Sequence, residues 1–145
     1  MNDHPSVAEL LGALTNRLHH FFYCLDERHY DELIAVFAAD GVWYRQGERL
    51  QGHAAIGRAL YARSTTQRIR HVVTNAFVAD SDGDKATVKA YMTAYRHDDG
   101  KPSDGVPRIP GPFRLNLVST VFRRVDGGWL IEEQRLTPEF EFAGR

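Results

Sequence analysis

The chain has 145 residues, of which 43% are hydrophobic and 26% charged, a composition typical of one soluble globular domain. Eighteen Lys and Arg against 19 Asp and Glu give a formal net charge of -1, which argues against nucleic acid as the main partner. Cys24 is the single cysteine, so an intrachain disulfide and a cysteine-based metal cage are excluded. No apolar stretch approaches the roughly 20 residues of a membrane span, and the segment Met1 to His4 contains no basic leader. We therefore expect a cytoplasmic protein without membrane contact.

The N-terminal third is predicted to be helical. Ser6 and Glu9 have the spacing of a capping box, which marks the start of a helix. The apolar residues beyond them recur at steps of three and four and form one stripe: Leu10, Leu11, Leu14, Leu18, Phe21, Phe22 and Leu25. A shorter helix is predicted over Asp31 to Phe37, and a third is predicted to begin at Gly52.

The rest of the chain is predicted to form strands. The first covers Val42 to Tyr44 and is followed by a tight turn at Gln46 to Glu48. Longer strands are predicted over residues 70–79, 86–96, 113–125 and 129–136, with turns at 80–84 and 126–128. Helices followed by antiparallel strands predict an α+β fold, in which a curved sheet wraps over the long helix as a cone. Residues 1–145 are expected to form one domain, with an open end suited to a small molecule.

One long connection separates two of these strands. His97 to Pro112 spans sixteen residues and contains four of the six prolines. Connections of this length inside a compact domain are usually functional or mobile. The sequence leaves two interpretations open, a lid over the cone and a mobile surface loop.

Two polar residues stand out against the apolar pattern. Residues four apart on the first helix form a ridge that ends in a carboxylate: Leu14, Leu18, Phe22 and Asp26. Period two places His71 on one strand face with three others: Val73, Asn75 and Phe77. Each polar residue alone also fits an ordinary role, Asp26 as a solvated helix-end residue and His71 as a strand histidine bonded to backbone. If they meet in a dry pocket, the carboxylate fixes the imidazole tautomer and makes the free nitrogen a better base.

Several segments resemble the SnoaL-like branch of the nuclear-transport-factor-2-like superfamily. They are Phe22 to Asp31, Phe37 to Trp43, Arg70 to Asn75 and Asp126 to Trp129. The resemblance extends roughly from Leu10 to Leu136 and implies a cone-shaped α+β barrel. Among enzymes, the chain looks similar to scytalone dehydratase and hexachlorocyclohexane dehydrochlorinase.

This resemblance implies roles for individual residues. In those enzymes an aspartate near the end of the first long helix and a histidine on a following strand form a catalytic dyad, and Asp26 and His71 match them. By the same resemblance Trp43 lines the pocket, and Asn116 stands near a position that is polar in scytalone dehydratase. Other polar positions of the two enzymes have no secure counterpart here, so their substrates do not carry over.

The resulting hypothesis is a lyase or isomerase that needs no cofactor and no metal. His71 would act as general base and then acid, while Asp26 would orient it. The substrate is expected to be a small hydrophobic molecule, cyclic or aromatic, that undergoes dehydration, elimination or isomerisation. The expected substrate-binding residues are Phe22, Trp43, Leu60, Phe77, Tyr91 and Asn116. A homodimer or homotrimer is expected.

Two alternatives remain open. Leu25 to Arg28 and Arg68 to Asn75 also resemble the β subunits of aromatic-ring-hydroxylating dioxygenases, which are structural partners of an iron-bearing subunit. The third interpretation is a small-molecule-binding module without catalysis, because a fold alone does not set function.

Overall fold

The computed structural model describes residues 5–102 and 104–143. Within these ranges the chain forms three helices, α1 (Val7–Glu27), α2 (Tyr30–Val36) and α3 (Gly52–Tyr61). The strands in the same ranges are β1 (Phe37–Arg45), β2 (Glu48–Gln51), β3 (Arg68–Ser81), β4 (Lys85–His97), β5 (Arg114–Val125) and β6 (Gly128–Glu141). The segment Met1 to His4, where we expect no leader, lies outside the described residues.

The strands form one six-stranded curved sheet in the order β2-β1-β6-β5-β4-β3. All neighbouring strands run antiparallel except β1 and β6, which are parallel. The helices pack on the concave face, and the core lies between that face and α1. The predicted α+β cone is therefore confirmed.

The first helix is positioned by its cap and its apolar stripe. The Glu9 backbone N–H donates to the Ser6 side-chain oxygen at 3.1 Å, as expected of an N-cap serine. Seven side chains of the helix are buried: Leu10, Leu14, Leu18, Phe21, Phe22, Cys24 and Leu25. Full burial of a large apolar side chain contributes about 1.5–3 kcal/mol, so this stripe fixes the rotation of the helix. That rotation brings Asp26, in the last turn, to the inner face of β3.

The largest departure from the predicted pattern is a β-bulge in β3. Pairing with β4 shifts between Thr74 and Phe77, and Asn75 has a φ of 60°. His71, before the bulge, pairs with Ala94 on the concave face, whereas Phe77, after it, pairs with Lys89 on the outer face. The expectation that Phe77 shares a strand face with His71 is therefore wrong, because the extra residue reverses the alternation.

The predicted element boundaries differ from the structure by a few residues. The second helix ends at Val36, and Phe37 already belongs to β1. The last strand continues to Glu141, beyond the predicted end at Leu136, because β5 still offers pairing partners there. The turns at Gln46-Gly47 and Asp126-Gly127 lie where predicted, and all four residues have positive φ, as primed hairpin turns require.

None of the helices in the described residues combines the length and the apolar character needed to cross a membrane.

Candidate active site

Asp26 and His71 lie in direct contact although 45 residues separate them in the chain. The imidazole Nδ1 is 2.5 Å from Asp26 Oδ1. The other carboxylate oxygen, Oδ2, accepts the backbone N–H of His71 at 2.9 Å. Only 7% of each side chain is exposed to solvent. The aspartate therefore holds both the ring and the backbone of the same histidine.

This contact decides which imidazole nitrogen is free. With Nδ1 directed at the carboxylate, Nδ1 carries the proton of the neutral ring and Nε2 carries the lone pair. The Phe22 ring packs on the imidazole with centroids 5.2 Å apart and planes inclined by 38°. His71 also lines a cavity that opens to solvent at one end.

The cavity has a volume of about 480 Å³ and lies between α1 and the concave face of the sheet. This volume falls in the range of small-molecule sites, roughly 300–1,000 Å³. The inner wall is apolar and includes Leu25, Met92 and Ala94. Gln46 and Ser64 are exposed lining residues and mark the mouth of the cavity.

The structure places some of the substrate-binding residues expected from the sequence at the cavity and the others away from it. Trp43 and Asn116 line the cavity, and Phe22 contacts the imidazole from behind. Leu60 is buried in the core and is not a lining residue.

Phe77 and Tyr91 do not belong to the site. Their side chains are 54% and 45% exposed and lie with Leu117 on the outer face of the sheet. The expectation for Phe77 is wrong because of the bulge in β3. The expectation for Tyr91 is wrong because, in this part of β4, the side chains of Ala90 and Met92 point into the cone and that of Tyr91 points out.

The cavity is also lined by four arginines that were not expected from the sequence: Arg45, Arg63, Arg96 and Arg114. Two of them could have been found from the strand period of two. Arg45 follows Trp43 at that spacing, and Arg114 precedes Asn116 at the same spacing, so each shares a strand face with a residue already expected in the pocket.

These arginines are held mainly by aromatic rings and backbone oxygens. Arg45 lies over the Trp43 ring at 4.9 Å, and Arg114 lies over the Phe113 ring at 4.8 Å. Arg63 donates to the Leu25 carbonyl oxygen at 3.0 Å. Burial, and next the nearby positive charge of Arg63, lower the pKa of the Arg45 guanidinium from its ordinary value. The site is thus electropositive and partly desolvated.

The first residues of the 97–112 connection form hydrogen bonds with residues at the mouth of the cavity. The hydroxyls of Thr66 and Ser64 each donate to Asp98 at 2.7 Å, and these bonds lower the pKa of Asp98 to about 2. Further along, Arg68 donates to the Gly105 carbonyl oxygen at 3.1 Å. Residue 103 lies outside the described residues, and a lid or a mobile surface loop stays a prediction for this connection.

The profile of the SnoaL-like domain family matches residues 7–135 of the chain. The chain belongs to this family. The match includes Asp26, His71 and every helix that the structure describes. Among proteins with curated functions, none matches this SnoaL-like chain in sequence.

Solved structures similar to this SnoaL-like chain share its fold at low sequence identity. A candidate scytalone dehydratase from Novosphingobium aromaticivorans is 21% identical, with 92% of this chain and 87% of that chain covered and a TM-score of 0.74. A candidate aromatic ring hydroxylase from the same organism is 19% identical, with 97% and 96% covered and a TM-score of 0.77. A protein from Catenulispora acidiphila in complex with S-DNPA is 20% identical, with 90% and 94% covered and a TM-score of 0.74.

Another histidine–carboxylate pair of the SnoaL-like chain lies outside the cavity. His20 on α1 lies 3.0 Å from Glu32 on α2, and both side chains are exposed. The Cys24 thiol lies 3.4 Å from the His20 ring nitrogen and donates to Glu32 at 3.6 Å. This α1–α2 cluster has internal hydrogen bonds for all three groups and provides a natural control for the buried pair.

Proposed function

We propose that this SnoaL-like chain is a cofactor-free lyase or isomerase in which His71 moves a proton on a small cyclic or aromatic substrate. The observation that carries the proposal is the Asp26–His71 contact of 2.5 Å on the wall of a cavity of about 480 Å³. A histidine fixed in one tautomer, shielded from solvent and lining a cavity, meets the geometric requirements of a general base.

The reaction begins with proton abstraction. The lone pair of His71 Nε2 takes a proton from a carbon next to a carbonyl group, and the ring becomes an imidazolium. The Asp26 carboxylate stabilises that positive charge and keeps the ring in place. Because little solvent reaches the pair, this interaction is stronger than it would be in water.

The second step returns the proton. The imidazolium Nε2–H donates to a departing hydroxyl, the carbon–oxygen bond breaks, a carbon–carbon double bond forms and water leaves. If the proton returns to another carbon instead, the product is an isomer. Either course transfers protons without net oxidation, so it needs no electron carrier. The fold shared with a candidate scytalone dehydratase supports the dehydration course.

The first prediction tests the dyad. We expect His71→Asn and Asp26→Asn each to lower turnover by about 10²–10⁴-fold, because each removes general-base catalysis or the group that orients it. Turnover is measured by nuclear magnetic resonance in D2O on a panel of cyclic β-hydroxy ketones, as loss of water or uptake of deuterium at the activated carbon. The matched control is His20→Asn, which alters the exposed histidine–carboxylate pair and leaves the cavity intact.

Turnover, ligand binding and stability of the purified chain together separate the alternatives. Unchanged turnover in both His71→Asn and Asp26→Asn contradicts the mechanism. Binding of a panel member without turnover by the wild-type chain supports the small-molecule-binding module. A chain that is stable only with an iron-bearing partner supports the dioxygenase β subunit.

We also propose a cytoplasmic location. Cys24 is a free, buried thiol in the structure, which suits a reducing compartment.

A further inference from the structure

The charged side chains that line the cavity are all of one sign, although Glu48 near Arg45 and Asp98 near Arg96 act on them from outside the lining. Arg45, Arg63, Arg96 and Arg114 line the cavity, and among its described lining residues none carries a carboxylate. Asp26 is shielded behind His71. Within the part of the chain that the structure describes, Arg114 has only a long contact of 3.9 Å to Glu141, and Arg45 and Arg63 form no ion pair. Partly buried arginines are usually matched by an anion, because an unpaired charge away from water is costly.

Unpartnered polar atoms of the same cavity point to an occupant. Among the described residues, Trp43 Nε1, Arg114 Nε and Asn116 Oδ1 are buried without any hydrogen-bond partner, and all three side chains line the cavity. Trp43 is 1% exposed and Asn116 is 5% exposed. Buried polar groups in folded proteins are nearly always hydrogen-bonded. Each of these atoms has less than 1 Å² of accessible surface, so a small side-chain shift has to open it to a partner in the cavity. Two of them are donors.

Strand register relates these donors to the proposed base. His71 pairs with Ala94, and Ala94 pairs with Arg114, so the three residues form one row across β3, β4 and β5. Directly paired residues share a sheet face. Neighbouring strands lie about 4.8 Å apart, so the Cα atoms of His71 and Arg114 are separated by roughly 10 Å. The small Ala94 side chain leaves the space between them open. A molecule of two fused rings spans that distance.

We propose that the substrate carries a carboxylate group, which Arg45 and Arg114 bind together with the Trp43 N–H, while its ring system extends over Ala94 to His71. The inference rests on the proposed function in one respect, that the cavity with His71 is where the substrate reacts. It changes the expected substrate from a purely hydrophobic molecule to a cyclic or aromatic acid.

A carboxylate fits these donors better than a neutral oxygen does. The guanidinium group presents paired N–H donors in a plane that matches the two oxygens of a carboxylate. Charge-assisted hydrogen bonds are also stronger than neutral ones, and more so away from water. An anion relieves the mutual repulsion of Arg45 and Arg63, which contributes to the lowered pKa of Arg45. Arg63, already bound to Leu25 and Tyr30, adds positive potential from the side.

The test compares two probes of nearly equal shape. Binding of 2-naphthoate and of 2-naphthamide is measured by titration calorimetry at pH 7.5, where the first is an anion and the second is neutral. We expect the wild-type chain to bind naphthoate at least about tenfold more tightly, the fold-change equivalent to about 1.4 kcal/mol. Naphthoate binding no tighter than naphthamide binding, or absent, overturns the inference without need of any variant.

Variants then locate the anion. Arg45→Gln and Arg114→Gln are each expected to weaken naphthoate binding about tenfold and to leave naphthamide binding nearly unchanged. The matched control is Arg124→Gln, which removes the same charge from an exposed arginine packed on Trp129 outside the cavity. Equal loss in the control, or no loss in either cavity variant, contradicts the assigned carboxylate position.

Carboxylate recognition and the dyad mechanism can fail independently of each other, and His71→Asn distinguishes the two failures. His71→Asn keeps a side-chain N–H for Asp26, so it is expected to lose turnover and retain naphthoate binding. If naphthoate prefers the cavity but His71→Asn leaves turnover unchanged, the dyad mechanism fails and carboxylate recognition stands. If the two probes bind equally and His71→Asn abolishes turnover, carboxylate recognition fails and the dyad mechanism stands.

Discussion

Both oxygens of Asp26 are engaged by one residue, His71, through its ring and its backbone N–H. The Asp26 carboxylate fixes the position of α1 against β3 and the orientation of the imidazole. Asp26 therefore serves packing and site geometry at once, and its replacement affects both.

Cys24 allows a prediction about pH-dependent reactivity at the residue scale. Burial, and then the hydrogen bond to Glu32, raise the pKa of the Cys24 thiol to about 11. The thiolate is the reactive form, so we expect the native chain to react with a disulfide reagent at pH 7.5 roughly two orders of magnitude more slowly than free cysteine. The rate, followed by absorbance, should rise continuously as pH increases toward 11.

The controls for Cys24 use the same chain. Reaction in denaturant should be as fast as that of free cysteine. Glu32→Gln removes the negative charge near the thiol and should speed the native reaction only modestly, because burial is the larger cause. Native reactivity equal to that of free cysteine would contradict the described burial.

At the scale of elements, the bulge at Asn75 decides which half of β3 belongs to the site. Before it the odd-numbered residues Ile69, His71 and Val73 point into the cone, and directly after it the alternation has the opposite phase. The outward position of Phe77 follows from this change. Asn is among the few residues other than Gly that adopt positive φ readily, so the residue type suits the bulge.

Substitutions at Asn75 test the role of the bulge. We expect Asn75→Val to lower the free energy of unfolding by about 1–2 kcal/mol, because a β-branched residue strongly disfavours positive φ. Asn75→Gly is the control and should leave stability within about 0.5 kcal/mol, since glycine adopts this conformation without strain. Urea denaturation followed by circular dichroism measures both. Equal stability of the valine and glycine variants would show that the backbone does not require this conformation.

At the scale of the whole molecule, the sheet has two different faces. The concave face covers the core and the cavity, while the outer face exposes large apolar side chains on three adjacent strands: Val72, Phe77, Tyr91, Tyr95 and Leu117. Continuous apolar patches of this kind on a soluble protein usually mark an interaction surface. This face suits a second copy of the chain and supports the expected homo-oligomer.

The oligomer prediction concerns the outer face alone. We expect the wild-type chain to be a dimer or trimer and the double variant Tyr91→Lys, Leu117→Lys to be a monomer, because burying two unpaired ammonium groups is costly. Light scattering coupled to size-exclusion chromatography measures the mass. Ala13→Lys, on the exposed side of α1, is the control and should retain the wild-type mass. A monomeric wild-type chain, or an unchanged mass in the double variant, would contradict this assignment.

The sequence by itself determined the elements and the fold class. The cap at Ser6, the stripe along α1 and the turns at Gln46-Gly47 and Asp126-Gly127 depend on residues close together in the chain, so local patterns reveal them. Helix and strand spacing singled out Asp26 and His71, and the family resemblance implied their pairing, because each also fits an ordinary role when taken alone.

The tertiary structure decided which of the expected residues line the site and brought four arginines to it. Arg45, Arg63, Arg96 and Arg114 are far apart in sequence and individually look like solvated surface residues, yet the sheet brings them to one cavity. The bulge at Asn75 moved Phe77 out of that cavity, because a single extra residue reverses a period of two. Charge and shape in a pocket depend on contacts between distant segments, and those contacts exist only after the sheet has curved around α1.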